Sequence, residues 1–322
     1  MRIALIILLL TIKASTFDLN VTKQIPNGLI YNGEIYNVEN YPYVVSVVVW
    51  YARYNSPQRT CAGSLIHELL VLTTANCVYK TDGFYYKVYQ GSWIHNSLSR
   101  WVVKKFIHED YDPDNNKDFI SGDVGILKIN KPFPTVKKYI NIGGFPDDFA
   151  GGNVLDCIVI GFGLINEHTK GTEGFMNHVK VKYGEKACRG YYSKAIRYTW
   201  QQYLCTIPGH SATCQGDNGG PMICNGQLYG ICSFSLNFNG EKGKPICGSE
   251  NLQTVHIFVF YFRNWINDII QSIELEYVTT KKPPDTKKKR PKIKKRKSAG
   301  KLIKPHIILY MISALLFYHI VL

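Results

Sequence analysis

The sequence predicts an all-β protein with one helix near the end of its folded part. Five short runs rich in β-branched or aromatic residues are separated by Gly, Asn, Asp and Pro, a pattern typical of strands and turns. Many short strands with turn signals favour a sandwich or a pair of barrels. A helix is predicted over Tyr261–Ile273, where apolar residues recur at helical spacing. The strand runs are Tyr43–Val49, Leu70–Leu72, Tyr86–Tyr89, Val124–Ile129 and Val154–Ile160.

The N-terminal residues 1–16 predict a secretory signal peptide. Met1-Arg2 is a short charged start, Ile3–Ile12 is apolar, and the small residues Ala14 and Ser15 follow. The apolar run is much shorter than the roughly 20 residues that a membrane span needs. Residues 17–29 then form a short pro-segment, too short for a separate regulatory domain. We therefore expect a secreted protein.

The basic charge of the chain is concentrated in one C-terminal stretch. Thirteen Lys and Arg lie between Lys281 and Lys304 against one acid, Asp285, so +12 of the net +14 belongs there and about +2 remains elsewhere. Residues 275–304 therefore predict a solvated, disordered linker. The stretch could bind anionic glycans or lipid headgroups, or it could act as a self-repelling spacer. Nucleic acid is not expected as a partner of a secreted chain.

Residues 305–322 are apolar and run to the last residue of the sequence. Ser298-Ala299-Gly300 followed by this tail resembles a signal for a GPI anchor. A simple transmembrane anchor is the alternative, although the basic residues would then lie on the outer side, against the positive-inside rule. Either anchor would hold the protein at the cell surface.

Four motifs, in this order, resemble those of the trypsin-like serine proteases. They resemble the start of the mature enzyme, the histidine motif, the aspartate motif and the nucleophile motif of that family. The resemblance covers about Ile30–Ile273, which we assign as a domain over residues 30–274. It implies two six-stranded antiparallel β-barrels with a C-terminal α-helix. The matching stretches are Ile30–Gly33 with Tyr41–Tyr43, Cys61–Ile66 with Val71–Cys77, Asp123–Ile129 and Cys214–Pro221.

Two of the three catalytic positions implied by the resemblance carry a different residue. The family's mechanism needs a hydroxyl nucleophile, an imidazole that takes its proton and a carboxylate that orients the imidazole. Asp123 matches the carboxylate, but Asn76 stands at the imidazole position and Asn218 at the hydroxyl position. A carboxamide is neither a base near neutral pH nor an activated nucleophile. We therefore expect no functional catalytic residue.

Other parts of the family's machinery are retained or altered. The backbone N–H groups of Gly216 and Asn218 match the oxyanion hole. Asp217 matches the residue that pairs with the new amino terminus after activation. That terminus would be Ile30, but Leu29 precedes it instead of Arg or Lys. Gly216 and Asp217 could persist in a pocket that binds without cutting, or simply because the turn needs them.

The resemblance also indicates a changed specificity pocket. Ala212 falls where a trypsin has an aspartate, so specificity for basic side chains is not supported. Cys232-Ser233-Phe234 stands in for the pocket wall, and Thr254 replaces a glycine opposite and would narrow the slot. These changes are consistent with drift in a site that is no longer under catalytic demand.

The cysteines predict a disulfide framework and no metal site. Their spacings do not resemble those of zinc ligands, and no cofactor is expected. Sequence alone leaves the pairing of nine cysteines open. Cys232 is the cysteine left over once the family's pairs are assigned, and a buried thiol is expected there. The resemblance implies the pairs Cys61–Cys77, Cys157–Cys224, Cys188–Cys205 and Cys214–Cys247.

The sequence thus predicts a secreted or surface-tethered protease homologue that is not an enzyme. It would act as a binding module, decoy or cofactor in an extracellular, for example immune, protease pathway. Its partners would be a protease, a protease inhibitor or a recognition protein. An enzyme with unconventional residual hydrolysis and a polyanion-binding protein that acts through its basic tail are the two alternatives. Asn20 begins an N-glycosylation sequon, Asn20-Val21-Thr22.

Overall fold

The computed structural model describes residues 33–80, 82–94, 97–114, 120–163, 173–188, 196–209, 213–214, 216–240 and 243–281. The secondary structure of these residues is mostly β. The strands are β1 (Glu34–Ile35), β2 (Val44–Tyr51), β3 (Ser56–His67), β4 (Leu70–Thr73), β5 (Phe84–Gln90), β6 (Ser99–Ile107), β7 (Gly125–Ile129), β8 (Leu155–Gly161), β9 (Phe175–Lys182), β10 (Tyr203–Thr206), β11 (Pro221–Cys224), β12 (Gln227–Asn237) and β13 (Leu252–Phe258). The α-helices are α1 (Ala75–Val78), α2 (Ile196–Thr199) and α3 (Arg263–Lys281), and 3-10 helices cover Pro146–Gly152, Trp200–Gln202 and Val259–Phe262.

The strands form two antiparallel barrels. The first barrel closes in the order β2-β3-β4-β7-β6-β5. The second sheet has the order β1-β9-β10-β13-β12-β11-β8, and it closes because β8 also pairs with β9. Six strands therefore form the second barrel, and β1 lies outside it along β9. The predicted fold of two six-stranded barrels with a C-terminal helix is confirmed.

Each of the five predicted runs lies in a strand, and no end is shifted by more than two residues. In β2, Val44 to Val49 are all buried, which explains why this strand has a continuous apolar run instead of alternation. The longest helix, α3, continues to Lys281, six residues past the predicted start of the linker at 275. This correction has a sequence reason: no Pro or Gly occurs between Arg263 and Lys282, and Pro283 is the first residue that disfavours a preceding helix.

The main apolar core contains residues of both barrels and of α3. Val47, Leu72 and Ile126 of the first barrel have no exposed surface, and neither do Ile231 and Ile257 of the second. The helix contributes its predicted apolar positions Ile266, Ile269 and Ile273 to this core. A second, separate cluster of buried residues belongs to the second barrel and includes Val159, Met222 and Phe258. The larger compact unit of the chain ends at Leu275.

All four disulfides implied by the resemblance are present. Cys61–Cys77 links β3 to α1, and Cys157–Cys224 links β8 to β11. The others are Cys188–Cys205 and Cys214–Cys247. Cys232 is the remaining cysteine, and it is free and buried as predicted.

Candidate functional site

The carboxylate of Asp123 is the centre of the candidate site. It lies two residues before β7 and has no exposed surface. The main-chain N–H of Asn76 donates to Oδ1 at 2.7 Å, and the hydroxyl of Ser233 donates to Oδ2 at 2.5 Å. Burial raises the pKa of Asp123, while these two hydrogen bonds and the Arg59 charge act in the opposite direction. Both oxygens are thus held by donors from two other segments of the chain.

Asn76 lies on α1, a single turn that is fixed by the Cys61–Cys77 disulfide next to it. Its side chain faces Arg59 of β3, not Asp123 directly. Nη1 of Arg59 donates to the main-chain oxygen of Asn76 at 3.0 Å and to its Oδ1 at 3.0 Å. Because the amide oxygen accepts from a cation, it is the guanidinium that sets the orientation of the Asn76 side chain.

Arg59 is the site residue that sequence reasoning missed. It precedes Cys61 by two residues in a half-exposed part of β3 and belongs to none of the four motifs. Its charge acts on Asp123 and also lowers the pKa of Tyr111, which burial and the Asp123 charge raise more strongly. The only sequence signal was its closeness to Cys61. Nothing in the motifs indicated that it would reach Asn76.

Asn218 lies in a tight turn that is hydrogen-bonded to both barrels. The N–H of Ala62 donates to the main-chain oxygen of Asn218 at 2.8 Å, and the N–H of Gly219 donates to the oxygen of Cys232 at 2.7 Å. Gly216 and Gly219 have φ values of 104° and 82°, a region that favours glycine. A Cβ on Gly216 would lie 2.6 Å from Cα of Gly163, so the turn also needs this glycine for close packing.

Two N–H groups of this turn are available to a ligand. Among the described residues, no acceptor lies within hydrogen-bond distance of the backbone N–H of Gly216 or of Asn218. Both residues are only half-buried. These are the two donors that the resemblance assigned to an oxyanion hole, where such groups donate to an anionic or carbonyl oxygen.

Asp217 is fully buried beneath the same turn. Its Oδ2 accepts from the N–H of Cys214 at 2.7 Å, and its Oδ1 accepts from the N–H of Gly163 at 2.8 Å. Burial raises the pKa of Asp217 from 3.8 to about 7, although the two backbone hydrogen bonds lower it. The carboxyl group therefore has two neutral donors in the described part of the chain. Its predicted charged partner, the amino group of Ile30, lies outside the described residues, as does Leu29.

The predicted pocket residues lie on β12 and β13. Cys232 and Ser233 are buried, and the Ser233 hydroxyl belongs to the group around Asp123. Thr254 lies opposite Ser235 and is completely buried, and its Oγ1 is 3.1 Å from Oγ1 of Thr206. Phe234 is half-buried. Ala212, like the glycosylation sequon at Asn20, lies outside the described residues.

A comparison with protein families shows which family this chain belongs to. The sequence profile described as Trypsin matches residues 30–266, about three quarters of the chain. The chain belongs to the trypsin family. The match spans all four motifs and ends within α3.

Individual relatives agree with this assignment. The platelet-aggregating proteinase PA-BJ of Bothrops jararaca is 31% identical over 232 residues, which cover 67% of this chain and 86% of that protein. The thrombin-like enzyme cerastocytin of Cerastes cerastes is 27% identical over 220 residues, 67% of this chain and 80% of the relative. The structure of neuropsin, a serine protease expressed in the limbic system of mouse brain, matches with a TM-score of 0.58 and 20% identity, covering 74% of this chain and 98% of neuropsin. This last likeness concerns the fold of the trypsin family.

The described part of this trypsin-family chain has neither a candidate metal site nor a membrane-spanning helix. The described side chains contain no group of three or more His, Cys, Asp or Glu that could hold a metal ion. Among the described helices, none is long and apolar enough to cross a membrane. The apolar tail at 305–322 lies outside that part of the chain.

Proposed function

We propose that this trypsin-family protein is secreted and binds a protein partner through its protease-like cleft without cutting it. The observation that carries the proposal is the pair Asn76 and Asn218, which replaces the base and the nucleophile around Asp123. An amide oxygen held by a guanidinium cannot take a proton from a nucleophile. Losing the triad removes a factor on the order of a million in turnover. The chain would then act as a decoy or cofactor in an extracellular protease pathway.

The retained parts of the cleft support binding. The free N–H groups of Gly216 and Asn218 can donate to a carbonyl oxygen of a peptide, and this interaction needs neither a base nor a nucleophile. Arg59 adds a half-exposed cation next to Asn76. Its guanidinium has five donors, and its two hydrogen bonds to Asn76 use only Nη1, so further donors can meet a partner's carbonyl or carboxylate oxygens.

The tests of hydrolysis use the chain and its double variant Asn76→His/Asn218→Ser. In both, an enteropeptidase site placed before Ile30 allows the same activating cut, which mass spectrometry of the new amino terminus verifies. We expect no turnover of a chromogenic peptide panel by the natural chain. We expect hydrolysis by the double variant, because Asp123, Ser233 and the turn at Gly216 are already in place.

A third variant, Asp123→Ala, separates the proposal from its enzymatic alternative. Turnover by the natural chain that disappears in Asp123→Ala and resists serine-directed inhibitors would show an unconventional hydrolase and overturn the proposal. Contaminating protease is recognised by its sensitivity to the same inhibitors. Binding without cutting is then measured as retention of peptides that the double variant cleaves, on the immobilised natural chain.

Secretion and anchoring remain proposals that rest on the sequence. The predicted signal over 1–16 supports export, and the predicted tail over 305–322 supports a GPI or transmembrane anchor. Expression in animal cells followed by treatment with a phosphatidylinositol-specific phospholipase distinguishes the anchors. Release of the protein from the cell surface supports GPI, whereas retention after complete digestion of a control GPI protein contradicts it.

A further inference from the structure

The outer surface of the first barrel carries an unusual group of aromatic rings around one lysine. We call Trp50 of β2, Tyr85 and Lys87 of β5 and Trp101 of β6 the aromatic-lysine face. The rings of Trp50 and Tyr85 are stacked, with centroids 6.0 Å apart and planes 5° apart. The ring of Trp101 lies 5.3 Å from that of Tyr85. Nζ of Lys87 is 4.4 Å from the centre of the Trp101 ring and 5.5 Å from that of Trp50.

The strand register explains why these residues meet outside the barrel. Trp50 lies opposite Tyr85 in the β2–β5 pair, and Lys87 lies opposite Trp101 in the β5–β6 pair. Tyr86 and Val88, the alternate residues of β5, are buried in the core. Because side chains alternate along a strand, Tyr85 and Lys87 share the opposite face. Trp101 is 49% exposed, although a tryptophan of a monomeric protein is usually well covered.

The charged side chains of the three strands that carry this face have one sign. Strands β2, β5 and β6 contain four cations and no Asp or Glu. Arg100 is buried, and the ammonium of Lys105 is held by main-chain oxygens of Val78 and Lys80, which leaves Lys87 and Lys104 for the surface.

Two further cations flank the face, each over its own ring. Arg53 lies 5.4 Å from the centre of the exposed Tyr54 ring, and Nζ of Lys80 lies 5.3 Å from that of Phe84. Among the described residues, no carboxylate lies within 4.0 Å of Arg53, Lys80, Lys87 or Lys104. The surface therefore offers unpaired positive charge next to exposed rings.

We propose that the aromatic-lysine face docks an acidic segment of a partner protein that also carries apolar or aromatic side chains. Charge complementarity requires an anionic partner, and the rings require one that also buries apolar area. Trp, Tyr and Arg are the residues that most often carry the binding energy of protein interfaces; here the Trp101 ring is exposed, and Trp50 and Tyr85 are partly exposed beside it. The face shares no residue with the candidate site, so docking there does not depend on whether the chain cuts peptides.

A purely polyanionic ligand fits these observations less well. A sulfated glycan would use the unpaired cations Arg53, Lys80, Lys87 and Lys104. It would leave the stacked Trp50–Tyr85 pair without a role in binding. An acidic peptide with apolar side chains uses both parts of the face, since Lys87 keeps its positive charge while it lies over the Trp101 ring. The two ligand classes can be separated because only the peptide requires the rings.

The test measures binding of two fluorescent peptides to the full chain. The first peptide alternates Glu with Phe or Tyr, and the second has the same Glu residues with Ser at the other positions. Fluorescence anisotropy gives the Kd for each. The second peptide reports binding by charge alone, including any binding to the basic residues between Lys281 and Lys304. We expect the Glu–aromatic peptide to bind the natural chain at least tenfold more tightly than the Glu–Ser peptide.

Variants of the face then assign this difference. Trp101→Ala/Lys87→Gln is expected to remove the tenfold advantage of the Glu–aromatic peptide and to leave binding of the Glu–Ser peptide within about twofold. The matched control is Tyr198→Ala/Lys138→Gln, which removes an 83% exposed ring and an exposed lysine outside β2, β5 and β6. Lys87→Gln alone keeps all the rings and is expected to have an intermediate effect. Thermal unfolding checks that each variant is folded.

Two results would overturn the proposal. One is an unchanged preference for the Glu–aromatic peptide in the folded Trp101→Ala/Lys87→Gln variant. The other is binding of a heparin fragment that depends on Lys87 but not on Trp101, with no preference between the two peptides. That second result would assign the surface to an anionic glycan.

Discussion

The main-chain N–H of Asn76 donates a hydrogen bond of 2.7 Å to Oδ1 of Asp123, so the carboxylate holds the backbone of the residue that stands at the base position. The side chain of Asn76 is instead held by Arg59. A histidine placed at position 76 would therefore enter a site with a buried carboxylate on one side and a guanidinium on the other. The first would raise the pKa of the imidazole and the second would lower it.

The variant Asn76→His tests the effect of Arg59 without requiring any activity. The pKa of the new histidine is measured by NMR titration in Asn76→His and in Asn76→His/Arg59→Gln. We expect the second value to be higher by about half to one unit, because a cation within contact distance disfavours the protonated imidazole and solvent weakens the effect. The control Asn76→His/Arg197→Gln removes an exposed cation of α2 and should leave the value unchanged. An equal or lower value without Arg59 would show that this guanidinium does not act on position 76.

Much of this site could be predicted because its residues lie in contiguous motifs. Asn76, Asp123 and Asn218 lie in short motifs that identify them, and the buried valines of β2 fix a strand by composition alone. The hydrogen bond from Ser233 to Asp123 joins residues 110 positions apart in the sequence. The hydrogen bond from Arg59 to Asn76 joins residues of β3 and α1 that are 17 positions apart. Such contacts depend on how the strands pair in space, which no local pattern of the sequence specifies.

Gly219 is predicted to be essential for the turn that holds Asn218. Its φ is +82°, and a Cβ there would lie 2.1 Å from Oγ1 of Thr73 and 2.2 Å from the oxygen of Ala62. Gly219→Ala should lower the free energy of unfolding by about 3 kcal/mol or more, since backbone strain and a clash with a buried hydrogen bond add together.

The matched control for this glycine is Gly226→Ala. Gly226 also has a positive φ, +73°, but nothing lies within 4 Å of the Cβ position. Only the strain of the left-handed conformation remains there, about 1 kcal/mol. Urea unfolding of both variants measures the difference. Equal losses of stability would mean that the turn can rearrange around an alanine at 219.

Cys232 is predicted to be unreactive in the folded protein. Eight of the nine cysteines form disulfides, and Cys232 is 3% exposed with its thiol donating to Oγ1 of Thr213 at 3.0 Å. Burial raises the pKa of this thiol, so little thiolate forms near neutral pH. Titration with a thiol reagent should find no reactive group in the native chain and one per chain in denaturant. The Cys232→Ser variant should give none in either state, and rapid reaction of the native chain would contradict the buried position.

The buried carboxyl group of Asp217 predicts that stability falls as pH rises. Its pKa is raised from 3.8 to about 7, so between these values the folded chain holds a proton that the unfolded chain has released. Stability from this group is therefore full below about pH 4 and declines until about pH 7, on the order of 4 kcal/mol in total. The free energy of unfolding of the natural chain minus that of Asp217→Asn should fall by this amount from pH 4 to pH 8.

Asp156→Asn is the control for this pH dependence, because Asp156 is an exposed carboxylate paired with Lys180 at 3.0 Å. Its removal should leave the decline in place. The same measurement on the chain cut before Ile30 tests the pairing that the family resemblance implies. An ammonium group that reaches Asp217 would favour the ionised carboxylate and abolish the decline. If stability still declines with pH after the cut, the new amino group does not reach Asp217. If the uncut chain shows no decline, the conclusion that Asp217 is buried without a compensating charge is wrong.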